Sequence, residues 1–149
     1  MEGAIFHCPD HWRGMVPPET RILQTAGEVT KKEWPILALT ADGCRSVLEK
    51  QLRCGTLLVP GEFSMILLPR IQAKTIITCG LSPRDSLTLS SLKEIPVLCV
   101  QRILPRPDGG LVEPQEILLP SLPGDAEALL PLLGIRLLQM PLTERGLLW

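Results

Sequence analysis

The chain has 149 residues, a net charge of −1 and 45% hydrophobic residues, values of a globular domain long enough to bury a core without disulfide or metal staples. The charge balance excludes a basic face for a nucleic-acid backbone, and aromatic residues at 3% leave few platforms for base stacking. No apolar run reaches the roughly 18 residues of a membrane span, and Met1-Glu2-Gly3 lacks the basic and apolar regions of a signal peptide. These features predict a cytoplasmic protein with no membrane and no nucleic-acid partner.

In chain order, Ala4 to Cys8 reads as a short first strand and Pro9 to Pro18 as loop. Glu19 to Val29 reads as a short helix. Residues 1–34 form the less regular part of a single domain spanning 1–149. Ile36 to Thr40 is an apolar run that reads as a buried strand. Asp42 is placed to cap a helix through Arg53, with Gly55 as its stop. Thr56 to Val59 and Thr75 to Cys79 read as two further buried strands, separated by an apolar helical stretch from Glu62 to Ile71 that Pro69 shortens. Apolar strands alternating with helices predict a parallel sheet covered on both faces.

After Gly80 the pattern changes. Ser86 to Leu92 alternates polar and apolar residues, as a half-exposed strand does. Val97 to Ile103 and Leu111 to Leu119 complete an antiparallel meander, the last interrupted by Pro114. Asp125 is placed to cap a helix ending at Gly134, Ile135 to Met140 reads as a final strand, and 143–149 reads as a tail. The fold class expected is α/β: three layers, a mostly parallel sheet, and an antiparallel β-meander in the C-terminal half.

The absent motifs narrow the chemistry. None of the five lysines follows a glycine, so no phosphate-cradling loop of the Gly-Lys-Ser/Thr type exists. Neither G-x-G-x-x-G nor G-x-S-x-G occurs. No cofactor is called for. The five cysteines, Cys8, Cys44, Cys54, Cys79 and Cys99, are odd in number, widely spaced and free of C-x-x-C, which predicts reduced thiols.

Two groups of residues stand out. His7, Cys8, Asp10 and His11 bring four residues of metal-ligand type within five positions, enough atoms for a tetrahedral site, although the spacing matches no zinc motif and Pro9 stiffens the turn. The second group follows the third central strand. There Ser82, Arg84, Asp85 and Ser86 make a polar loop where open α/β sheets seat ligands, suited to a small anion or to satisfying turn amides. Cys79, ending that strand, and Asp85 are its catalytic candidates, with a buried core thiol as the alternative for Cys79.

The order Leu57-Leu58-Val59-Pro60-Gly61-Glu62, then Ile76 to Leu81, then Asp85 to Leu92, then Leu118 to Gly124, resembles the second half of the central domain of the bacterial Mur ligases. The resemblance covers about residues 56–138. It departs from that family at the catalytic parts. The P-loop and metal-ligand region has no counterpart, Val59-Pro60-Gly61-Glu62 replaces the N-x-D-D turn, and Asp125-Ala126-Glu127 replaces the asparagines after the Pro-Gly. No catalytic residue of the family carries over. The resemblance implies a shortened, non-catalytic relative linked to the bacterial cell wall that binds a protein partner or a small ligand. The other readings are a small cysteine- or metal-dependent enzyme, and a subunit that forms a homodimer through the leucine-rich Leu129 to Leu138.

Overall fold

The computed structural model describes residues 2–92, 95–119 and 127–140, without the side chains of 91 and 92. Its core is an eight-stranded sheet in the order β2-β1-β3-β4-β5-β6-β7-β10. The strands are β1 (Gly3–Phe6), β2 (Thr20–Leu23), β3 (Trp34–Leu39), β4 (Leu52–Pro60), β5 (Ile71–Cys79), β6 (Leu87–Leu92), β7 (Ile95–Val100) and β10 (Gln115–Leu118). A separate two-stranded hairpin pairs β8 (Leu104–Pro105) with β9 (Leu111–Val112). All pairings from β2 to β6 are parallel, and β6, β7 and β10 are antiparallel. The expected α/β architecture, mostly parallel with an antiparallel C-terminal meander, is present.

Parallel strands buried on both faces need helices on both faces. Ala4, Phe6, Leu37, Leu39, Leu57 and Val59 pack on one side with α1 (Ala26–Thr30), α2 (Ala41–Ser46) and α3 (Gly61–Leu67). Ile5, Ile36, Ala38, Leu58 and Ile77 point to the other side, against α4 (Leu130–Gln139) and the 3₁₀ turn Asp10–Met15 that carries Trp12. The alternation of odd and even residues along each strand thus feeds two separate cores. β5 and β6 share one register pair, Cys79 with Leu87, and β7 returns to place Val100 beside Leu87. The meander therefore starts at the level where the parallel strands end.

Several expected elements differ. Glu19 to Val29 is not one helix: Thr20–Leu23 is an edge strand on β1, and α1 begins only after Thr25. Thr25 and Glu28 form a reciprocal capping box, with Glu28 N–H donating to Thr25 Oγ1 at 3.2 Å and Thr25 N–H donating to Glu28 Oε1 at 3.1 Å. The helix expected over Asp42 to Arg53 is the single short α2, capped by Thr40 rather than Asp42. From Leu52 the chain is already β4, where buried Leu52 and Cys54 flank exposed Arg53. Pro114 splits the strand expected over Leu111 to Leu119 into β9 and β10.

The largest revision is at the C-terminal end. Ile135 to Met140 is not a strand, because α4 runs unbroken through Gly134 to Gln139. A Cβ at Gly134 would lie 2.7 Å from Leu58 Cδ2 and 2.9 Å from Leu87 Cδ1, so the missing side chain lets the helix close onto the sheet. Leu130 to Leu138 are all buried. The leucines expected to offer a dimer surface are core residues. Arg136 is buried among them, its Nη1 donating to the Met15 carbonyl, and Thr20 Oγ1 donates to Gln139 Oε1. Asp125 and the tail 143–149 lie outside the described residues. Among those residues no helix is long and apolar enough to cross a membrane.

Leu58, fully buried between β4 and α4, should carry much of this contact. Leu58→Ala is expected to lower unfolding free energy by about 2–5 kcal/mol through lost burial and a residual cavity. Chemical denaturation measures it, and a loss well below that range would place α4 away from β4.

Candidate functional site

The strand order reverses direction between β1 and β3. From β1 the chain moves to one side to form β2, then returns past β1 to β3, β4 and β5. Such a reversal sends the flanking connections to opposite faces and leaves a crevice beyond the carboxyl ends of the two strands. The crevice is present, with a cavity of about 870 Å³, within the size range of small-ligand sites.

Its floor is tied by Thr40, the residue after β3. The Thr40 hydroxyl lies 3.1 Å from the Phe6 carbonyl and 3.0 Å from the His7 carbonyl at the end of β1, and accepts from Gly43 N–H at 3.2 Å. One side chain thus joins β1, β3 and the start of α2. His7 has φ 61°, a left-handed conformation uncommon for a residue with a Cβ. Its Nε2 lies 3.1 Å from Ser46 Oγ. The Ser46 hydroxyl also lies 3.1 Å from the Asp42 carbonyl, so it ties His7 to the first turn of α2.

The far wall is the loop after β5. Ser82 N–H donates to Asp85 Oδ2 at 3.0 Å, Arg84 N–H donates to Ser82 Oγ at 3.1 Å, and Asp85 N–H donates to the Ser82 carbonyl at 3.0 Å. Gln101 Nε2 donates to the Asp85 carbonyl at 2.6 Å and fixes its backbone. The Ser82, Arg84 and Asp85 amides are therefore engaged within the loop. Ser82, Arg84 and Asp85 line the crevice. Ser86 instead turns into the sheet, its N–H donating to the Thr78 carbonyl at 2.9 Å.

Cys79 also lines the crevice but is 3% exposed. Burial, reinforced by the Asp85 carboxylate, pushes its thiol far above the ordinary range. At neutral pH it is a protonated core thiol, the environment opposite to that of a nucleophilic cysteine.

The N-terminal cluster is dispersed. His7 faces the crevice, Cys8 is buried with its thiol toward the Pro9 carbonyl, Asp10 pairs with Arg13 at 3.0 Å, and His11 stacks edge-on with Trp12. Among the described residues no three His, Cys, Asp or Glu side chains gather as a group that could hold a metal ion.

Sequence reasoning missed Thr40, Asp42, Glu62 and Met65, which line the same crevice. The signal was available: each lies within a few residues of the end of an apolar parallel strand, the position that α/β sheets expose to ligands. No protein-family model, no curated protein and no solved structure matches the chain.

All five cysteines are free thiols. Burial raises Cys44 and Cys54 to about 12. A thiol whose pKa is higher folded than unfolded adds stability fully present below its unfolded pKa and lost as pH climbs toward the folded value. Stability should therefore fall between about pH 9 and 12, by at most about 1.4 kcal/mol per pH unit for each thiol. Denaturation midpoints across that window test this. Cys54→Ala should flatten the slope, and an unchanged slope would contradict it.

Proposed function

We propose that the chain is a small-ligand-binding α/β domain without a catalytic role, its ligand seated in the crevice at the carboxyl ends of β1, β3, β4 and β5. The observation that carries this reading is the crevice itself: a preformed cavity at the reversal of strand order, with polar side chains converging from successive strand ends. The catalytic alternative loses its main support, since Cys79 is a buried, protonated thiol. The chain also lacks the lysine-bearing loop that would hold a nucleotide's phosphates.

The Mur-ligase resemblance enters this reading as a relationship to the central domain stripped of its nucleotide site. The run from β4 through α3 and β5 to the β6–β7 meander, and on to α4, follows the order that the resemblance implies over residues 56–138. Pro120 to Gly124 of the last motif lie outside the described residues. A role near the bacterial cell wall is part of the same proposal. Five unpaired thiols support a reducing, cytoplasmic setting.

Crystals soaked with a mixed fragment library, with magnesium-ATP as a separate soak, test the reading. Fragments are expected to concentrate in the crevice and ATP to leave it empty. Hits scattered over the surface, or ATP in the crevice, would overturn it.

A further inference from the structure

The crevice carries a second level of information, in which kinds of group it leaves unsatisfied. Asp85 is 6% exposed. Its Oδ2 accepts from Ser82 N–H at 3.0 Å, while among the described residues nothing donates to Oδ1, which is not sealed from the crevice. The backbone is cleared around this carboxylate. A Cβ at Gly80 would stand 2.5 Å from Oδ2, and a Cβ at Gly61 would overlap Oδ1. Oδ1 therefore meets only what enters the crevice, and an N–H group donating to it there replaces water with a charge-assisted bond.

The surroundings have the same sign. Glu62 also lines the crevice beside Asp85, against the single guanidinium of Arg84, and so does Asp42, which is paired with Arg45 at 2.9 Å. The walls therefore favour a cation over an anion. Three of the loop amides, those of Ser82, Arg84 and Asp85, are already bonded and are not open to an anion. A bare metal ion lacks its ligands, since among the described residues no three suitable side chains gather. Two apolar side chains complete the picture. Met65 is 78% exposed and Leu81 is 60% exposed, and both line the crevice. Apolar surface left open at the mouth of a polar cavity is what a hydrocarbon body covers.

Resting on the reading of the crevice as a ligand site, we propose that its ligand is an organic ammonium with an aliphatic body, the nitrogen donating to Asp85 Oδ1 and the hydrocarbon lying on Met65 and Leu81. The ammonium belongs either to a free small amine or to a lysine side chain presented by a peptide. A charge-assisted hydrogen bond in a largely buried setting supplies the selectivity.

The test is a set of probes of one shape and three charges: hexylammonium, 1-hexanol and hexanoate, followed through backbone amide resonances of the intact protein. Hexylammonium is expected to shift crevice resonances and saturate at least about tenfold more tightly than hexanol, with hexanoate weakest. Added salt should weaken hexylammonium alone. Asp85→Asn should reduce hexylammonium to the affinity of hexanol without changing the melting temperature by more than a few degrees. The comparison of charges on the unaltered protein stands even if that variant fails to fold. A blocked tripeptide with a central lysine identifies the source: tighter binding than hexylammonium assigns the site to a peptide lysine, weaker binding to a free amine. Hexanol or hexanoate binding as tightly as hexylammonium within the crevice would overturn the cation assignment and leave the ligand-site reading standing. No saturable binding by any of the three would overturn the assignment as well, while fragments found elsewhere on the protein would overturn the ligand-site reading separately.

Discussion

The seam between β1 and β3 is the constraint on which the rest of the molecule depends. There the chain reverses its direction of travel across the sheet, so the connections on either side leave by opposite faces. The seam must be held shut at its carboxyl end, where no regular ladder continues. Thr40 does this with one hydroxyl shared between the Phe6 and His7 carbonyls, while the same oxygen caps α2 through Gly43 N–H. The left-handed turn at His7 follows directly, since β1 must end abruptly for the chain to swing into the turn carrying Trp12.

The polar and apolar parts of the crevice arise from different elements. The loop after β5 bonds the Ser82, Arg84 and Asp85 amides within itself and turns a carboxylate into the crevice. α3 brings Glu62 and the exposed Met65, and the first turn of α2 brings Asp42. Beneath this polar layer lie Cys79 and the core of the sheet, where burial keeps thiols protonated and inert. The acidic character is a property of the assembled strand ends and would not be noticed from a chain whose net charge is −1.

The central strands were legible because β3 and the carboxyl halves of β4 and β5 are short, mostly apolar runs separated by helical stretches, the pattern of a doubly covered parallel sheet. The β6–β7 hairpin was legible from its period-two alternation. α4 was misread for a physical reason: a helix apolar on nearly every side shows no 3.6-residue stripe, and Gly134 imitates a stop until Leu58 and Leu87 are seen to need its missing side chain. β2 was hidden because Thr20 to Leu23 is only four residues long and lies against one neighbour. For the site, the loop from Ser82 to Asp85 was visible at a strand end. Its partners on other loops were not, because sequence distance conceals which strand ends stand side by side.

The claim at the centre of this account is that the crevice between the strand ends is where a ligand sits. Ala128 lines the crevice at the approach to α4 and is exposed, so a bulky side chain there fills the cavity without entering the core. The most direct measurement is the affinity of any crevice-binding fragment for Ala128→Trp compared with the parent chain. The account predicts an unchanged unfolding transition and a loss of binding of at least about tenfold. Undiminished binding with the fold intact would contradict it.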